Sequence, residues 1–346
     1  MELIMPQPGF FDLDERFKKL NERDALLRLD ALIDWELFRP TLESARNAER
    51  KSEAGRKPFD AVLMFKGLVL QHLYNFSDQE LEFQIRDRFT FFRFLGLTPE
   101  GRIPDANTFW DFRELLIRAD LIKSLFNDFD LHLQDKGFSA RKGQIVDAAF
   151  VEAPRQRNSR EENAAIKAGE IPESFKNNPA QRRQKDTDAR WAKKNDEDHY
   201  GYKNHISIDN KNKLIREYEV TSAEVHDSNI LLEILTDNSS KDVWADSAYR
   251  SDDNELMLEV CEYRSRIHQR AYRNKPLTER QQASNKKKSK VRARVEHVFG
   301  SIANEQDGLH VRVIGKVRAA AKIGLTNLVY NLRRFETLCR IATPAA

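Results

Sequence analysis

Gly143-Gln-Ile-Val-Asp-Ala-Ala-Phe-Val151 is the stretch that decides the fold of this chain. Ile145, Asp147, Ala149 and Val151 share one face and Val146, Ala148 and Phe150 the other, the period-2 alternation of a β-strand. Before it, from about residue 12 to 136, the apolar spacing is helical instead. Leu26, Leu29, Ile33 and Leu37 recur at that spacing, as do Leu63, Gly67, Leu70 and Leu73, and then Leu81, Ile85 and Phe89. Ser77-Asp-Gln-Glu80 reads as a capping box. Pro104-Asp-Ala-Asn-Thr108 supplies another helix start, with Asn107 or Thr108 as the cap, and Gly137 closes the region.

After residue 142 strand-like segments follow at 143–151, 204–209, 213–221, 241–246 and 263–268, with helical ones at 228–236, 252–260 and 277–304. Asn210-Lys-Asn212 is a tight polar turn that joins two of the strands into a hairpin. Three strands, a helix, a fourth strand and further helices make an α/β order. It is the order of the RNase H-like fold, a mixed sheet flanked by helices, here preceded by an all-helical region. We therefore expect an N-terminal helical domain at 1–138, for DNA-end binding or dimerisation, and an α/β domain at 139–346. Arg86, Arg88, Arg93 and Arg113 among the capped helices suit a helix-turn-helix-like module, and plain helical packing accounts for the same pattern. The segment from Glu152 to Tyr200 is charged and poor in apolar residues. It reads as a solvated, partly disordered insertion or as a DNA-facing one, with Trp191 available to stack on a base.

The net charge is only +3, yet residues 264–340 hold 19 basic against 5 acidic side chains. That segregation implies one face for a polyanion rather than general stickiness. Cys261 and Cys339 stand alone, which excludes a disulfide framework or a zinc cluster and fits a reducing cytosol. No apolar run approaches a membrane span and no secretory signal opens the chain, so the expected place is the cytoplasm, associated with the nucleoid.

Three acids stand out. Asp147 interrupts an apolar strand, where an unpaired carboxylate is costly unless a cation or donors compensate it. Asp246 ends Asp242-Val-Trp-Ala-Asp246, at the C-terminal end of a strand, where open α/β sheets place their ligand sites. Glu296 borders the helical stripe Val291, Val295, Val298 and Ile302, one turn after Arg292. Singly, each has a structural explanation: an edge-strand acid, a turn cap, a surface ion pair. Together, hard oxygen ligands on rigid elements suit a two-metal phosphoryl-transfer site. Arg280, Lys286, Lys287, Lys288, Lys290, Arg292 and Arg294, with no acid among them, lead into that helix as a phosphate-tracking run.

At these residues the chain resembles the bacterial insertion-sequence transposases with an Asp-Asp-Glu triad, closest to the insertion-sequence-five family. The matching elements are Pro104–Arg113, Ile145-Val-Asp-Ala148, His199-Tyr-Gly-Tyr-Lys203, Val225-His-Asp-Ser228, Ala245-Asp-Ser-Ala-Tyr-Arg250 and Val291–Gly300. The resemblance implies a cut-and-paste-type transposase. Asp147, Asp246 and Glu296 would hold two Mg²⁺ (Mn²⁺ substituting), with Asp147 bridging, and Arg292, Tyr249 and Arg250 would support them. Lys203 and Trp191 would join the basic run as DNA contacts. The implied partners are double-stranded DNA of the terminal inverted repeats and of the target, and further copies of the chain in a dimer or larger synaptic complex. One departure is visible. Related transposases carry Tyr-x-x-Arg-x-x-x-Glu-x6-Lys, and here Ser289 and Ala303 stand at the Tyr and Lys positions. A repurposed DNA-binding protein and another RNase H-like nuclease are the rival readings.

Overall fold

Gln144–Glu152 forms β1, the middle strand of a six-stranded mixed sheet in a computed structural model that describes residues 24–46, 57–98, 101–194, 196–272 and 275–342. On one side β1 pairs antiparallel with β3 (Glu197–Asp209), from Gln144 opposite Asp209 to Glu152 opposite Gly201. The outer edge of β3 is shared by β2 (Arg190–Lys194) and β4 (Ile215–Ser222), both antiparallel to it. On its other side β1 pairs parallel with β5 (Asp242–Trp244), which pairs parallel with β6 (Arg264–Ser265). This is the expected RNase H-like sheet.

β3 begins at Glu197, well before the expected 204. The polar Glu197-Asp-His199 hides its start from hydropathy alternation, and its interior carries the buried polar residues Lys203, Asn204, His205, Ser207 and Asp209. Each of these makes a side-chain hydrogen bond inside the protein, as buried polar groups must. The helix expected at 228–236 is instead a pair of 3-10 turns, Asp227–Ile230 and Leu232–Ile234. Ile230, Leu231 and Ile234 are buried as the spacing requires, but the turn closes from Asn229 N–H to the His226 carbonyl, three residues back.

The N-terminal region is helical: α1 (Ala25–Leu32), a 3-10 turn (Trp35–Phe38), α2 (Arg39–Ser44), α3 (Ala61–Tyr74), α4 (Asp78–Asp87), α5 (Phe89–Phe94), α6 (Ala106–Arg118) and α7 (Ile122–Asp135). The helical expectation for residues 12–23 lies outside the described residues. α3 is central, with Met64, Phe65, Leu68, Val69 and Leu70 almost wholly buried. Ser77 caps α4 by accepting the Glu80 N–H (3.1 Å), but Glu80 does not reach back and takes Gln84 Nε2 instead. The cap of α6 is Asp105, not Asn107 or Thr108; it accepts the Thr108 N–H at 2.7 Å. Gly137, at φ +84°, ends α7 where an L side chain would be strained.

The charged insertion is built rather than loose. It contains α8 (Arg160–Lys167), opened by a Ser159–Glu162 capping box, then α9 (Glu173–Asn177), α10 (Pro179–Arg182) and β2. Few apolar residues hold it, but Phe175 and Ile166 are buried, and buried Asp186 accepts the Tyr202 hydroxyl and the Gly315 N–H. α11 (Asp252–Val260) and α12 (Glu279–Gln306) fall where expected. Past residue 304 the periodicity reading assigns no element, and there lies α13 (Lys316–Ala342). It packs on α7, α3, β4, α1 and α12 together. One hydrophobic core runs through the helical region, one face of the sheet and α13, so the change at 138/139 is one of chain order while packing is continuous. A smaller core under the other face holds Val146, Ile230, Leu231, Val243, Tyr249 and Ile267.

Candidate active site

Adjacent parallel strands bring the two aspartates together. β1 carries Asp147 in mid-strand, and Asp246 lies two residues past the end of β5. α12 lies against both, its Val295, Val298 and Ile302 buried, and so brings Arg292 and Glu296 to the same place. Arg292 is the link. Its Nη1 donates to Asp147 Oδ2 at 2.7 Å and its Nη2 to Glu296 Oε1 at 3.2 Å.

Asp147 is 13% exposed, while Glu296 is 61% exposed on the rim. Burial pushes the Asp147 carboxyl up to about 6, against the pull of Arg292 and with a further push from Asp246. Asp246 is both a site acid and a cap, since it accepts the Ala248 N–H at 2.8 Å at the start of the 3-10 turn Ser247–Tyr249. That turn drives Tyr249 inward. Its hydroxyl is buried without a hydrogen-bond partner, and burial and the charges of Asp147, Asp227 and Asp246 hold it well above the usual phenol range. Arg250 turns away to Glu255 (3.2 Å) and the Ile267 carbonyl (3.4 Å).

The donor set fits divalent cations in its chemistry. It offers hard carboxylate oxygens, one of them on a buried acid short of positive charge, and a single guanidinium spread over Asp147 and Glu296. It does so incompletely in its placement: among the described residues no three Asp, Glu, His or Cys side chains lie close enough to hold one ion. Arg292 stands between Glu296 and Asp147.

The basic run divides. Arg280, Lys286, Lys287 and Lys290 are exposed along α12. Lys288 donates to the Ile267 carbonyl at 2.8 Å and Arg294 to the Asn210 carbonyl at 2.6 Å, so both help fix α12 to the sheet. Lys203, expected as a DNA contact, is buried; it donates to Asp227 Oδ1 and the Val225 carbonyl, both at 2.7 Å, and does not face solvent. Trp191 is 47% exposed, stands 5.0 Å from Tyr200 by ring centroids, and has the Arg155 guanidinium over it. Two neighbours escaped the sequence reading. Asp227 pairs with Lys203 close to Tyr249, and its one sequence signal is its place in the matching element Val225-His-Asp-Ser228. His268 comes within 3.4 Å of Ser289, the residue at the missing Tyr position, and no local pattern marks it.

Comparison with known proteins agrees with this architecture. Residues 138–332, more than half the chain, match the family of the transposase DDE domain, and residues 14–115 match a transposase domain (DUF772). A solved structure, the piggyBac transposase synaptic complex with hairpin DNA, aligns at 11% identity and a TM-score of 0.44 over 90% of this chain and 76% of that one, a likeness too loose to argue from. With the DDE match spanning both aspartates, Arg292 and Glu296, the chain belongs to the transposase DDE domain family, enzymes that cleave DNA and transfer its strands.

Proposed function

We propose that this transposase mobilises an insertion sequence of the insertion-sequence-five type by cut-and-paste chemistry, with Asp147, Asp246 and Glu296 as its metal-binding carboxylates. The observation that carries the reading is that two strands and one helix, remote in sequence, deliver Asp147 and Glu296 to one arginine and Asp246 beside Asp147. Bound there, two divalent cations (Mg²⁺, with Mn²⁺ able to replace it) would activate the attacking oxygen and neutralise charge on the phosphoryl group. The protein's own share is positioning. β1 and β5 hold Asp147 and Asp246 rigidly, and these two acids with Glu296 would be the ligands of the ions. Arg292 keeps Glu296 near Asp147 and offsets the charge of both, and its guanidinium has the fork geometry to grip a phosphate. Lys286, Lys287 and Lys290 track the backbone of a terminal inverted repeat, and Trp191 with Arg155 offers a platform for a base. Residues 1–138 bind ends or pair copies of the chain, and two or more copies hold two ends together. The assembly works in the cytoplasm, on the nucleoid.

The test is cleavage and joining of a labelled duplex bearing the element's own end, with Mg²⁺, with EDTA, and with Asp246→Asn. The expected result is metal-dependent nicking and joining, lost by more than about 100-fold in the variant while DNA binding persists. End-specific binding with no cleavage in either Mg²⁺ or Mn²⁺ would instead favour a repurposed DNA-binding protein. Cleavage blind to the end sequence would make it a general nuclease.

A further inference from the structure

Away from the acidic residues, the ends of α3, α4 and α6 and the segment running from Asp307 into α13 enclose a cleft of about 290 Å³. Four cations line it (Arg113, Arg312, Arg318 and Lys322) against three carboxylates (Asp78, Glu114 and Asp307). The carboxylates are already committed. Asp78 is held by both Arg113 Nη atoms at 2.7 and 2.8 Å, and Arg113 also reaches Gln71 at 2.9 Å. Glu114 is held by Arg318 through two bonds of 2.8 Å. Asp307 accepts Asn75 Nδ2 at 2.9 Å and meets His310 Nδ1 at 3.0 Å.

Lys322 and Arg312 are left over: neither has a hydrogen bond or an ion pair from its side chain among the described residues. Lys322 is the informative one. A half-buried ammonium with no acceptor is costly, and burial together with Arg113 pushes it down to about 8 against the pull of Asp307 and Asp78. His72 adds a second unmet group. It is 1% exposed and its Nδ1 lies 2.8 Å from the Leu68 carbonyl, which requires a proton on Nδ1 and leaves Nε2 as a buried acceptor with no donor. Burial and the charge of Lys322 keep this ring neutral. A cleft that holds an unpaired ammonium and an exposed guanidinium complements a tetrahedral oxyanion that accepts from several sides.

We propose that this cleft is an anion site for a phosphate group, with Lys322 and Arg312 as its charged donors. The phosphate comes either from a free nucleotide or from nucleic acid bound along this side of the molecule. Trp110, 43% exposed at the cleft wall, gives the attached group an aromatic surface and supplies a fluorescence reporter. The site does not depend on the metal-binding reading of Asp147, Asp246 and Glu296.

The experiment measures the thermal midpoint of the full chain in phosphate and in chloride of equal ionic strength, for the wild type, Lys322→Met, Arg312→Gln and Asp246→Asn. Phosphate is expected to raise the wild-type and Asp246→Asn midpoints by mass action. Lys322→Met should melt higher than wild type without phosphate, because an unpaired ammonium is gone, and should lose the phosphate response. A purely structural lysine would do the reverse. Arg312→Gln, at an exposed position, should keep the ligand-free midpoint and weaken phosphate binding by about tenfold, the loss of one charged partner. Titration with adenosine monophosphate and with a short duplex, read by tryptophan fluorescence, assigns the source. Nucleotide binding lost in Lys322→Met supports a free ligand, and weaker duplex binding in that variant supports a backbone phosphate. Equal midpoints in phosphate and chloride for the wild type, or an undiminished phosphate response in both variants, would overturn the proposal.

Discussion

Arg292 carries more of the site's charge balance than any acid in it. Asp147 is buried beside Asp246, and Arg292 is the cation hydrogen-bonded to it. Arg292→Ala should therefore destabilise the metal-free protein by about 2–3 kcal/mol, somewhat below the cost of breaking a fully buried pair. Adding Asp147→Asn should recover most of that loss, so urea denaturation of the two single variants and the double variant should show strong coupling. A second expectation concerns pH. His205 is fully buried on β3, with Nε2 near Thr221 Oγ1 at 2.9 Å, and burial brings it down to about 4 from an ordinary 6.5. The unfolded chain then binds a proton at His205 that the folded chain does not between pH 4 and 6.5, so this residue lowers stability as pH drops through that window, against Asp147, whose raised carboxyl acts in the opposite direction. From pH 7 to 5 the loss at His205 is about 2 kcal/mol, with His72 adding in the same direction. Chemical denaturation at several pH values checks the slope, and His205→Gln should flatten it.

α12 performs two tasks on two sides. Its buried stripe docks on the sheet and core, Lys288 and Arg294 tie it down, and Lys286, Lys287 and Lys290 face solvent. Replacing those three with alanine should leave the helix intact, since alanine is the best helix former. It should reduce the slope of log K against log salt for duplex binding by about 2–3, at ~0.9 per phosphate contact. An unchanged slope would remove α12 from the DNA interface. This division follows from spacing: the apolar stripe is legible from the sequence, and residues off the stripe must face elsewhere. Which basic residues turn back to carbonyls is set by the neighbouring loops, so Lys288 and Lys290 look alike in sequence and differ in place.

At the scale of the whole molecule, Arg216 bolts the helical region to the sheet. With its side chain 2% exposed it pairs with Asp130 of α7 at 2.7 Å and Asp209 of β3 at 3.2 Å, and also donates to the Phe138 carbonyl. Arg216→Met strands a fully buried Asp209 and should cost about 3–5 kcal/mol. Because the core is continuous, circular dichroism and tryptophan fluorescence should report one coincident transition in both wild type and variant; two separated transitions would mean independent domains. The sequence by itself determined the fold class, the order of most strands, the helical first third and the three acids that stand out, because each rests on local periodicity or on a charge in an apolar run. Only the tertiary structure decided the rest. The charged insertion is ordered by a few long-range anchors such as Asp186, Lys203 is turned inward by Asp227, and α13 welds the two regions together. Arg292 lies between Asp147 and Glu296 because strand pairing and helix docking close a gap of 145 residues, and no local pattern in a sequence encodes a contact of that kind.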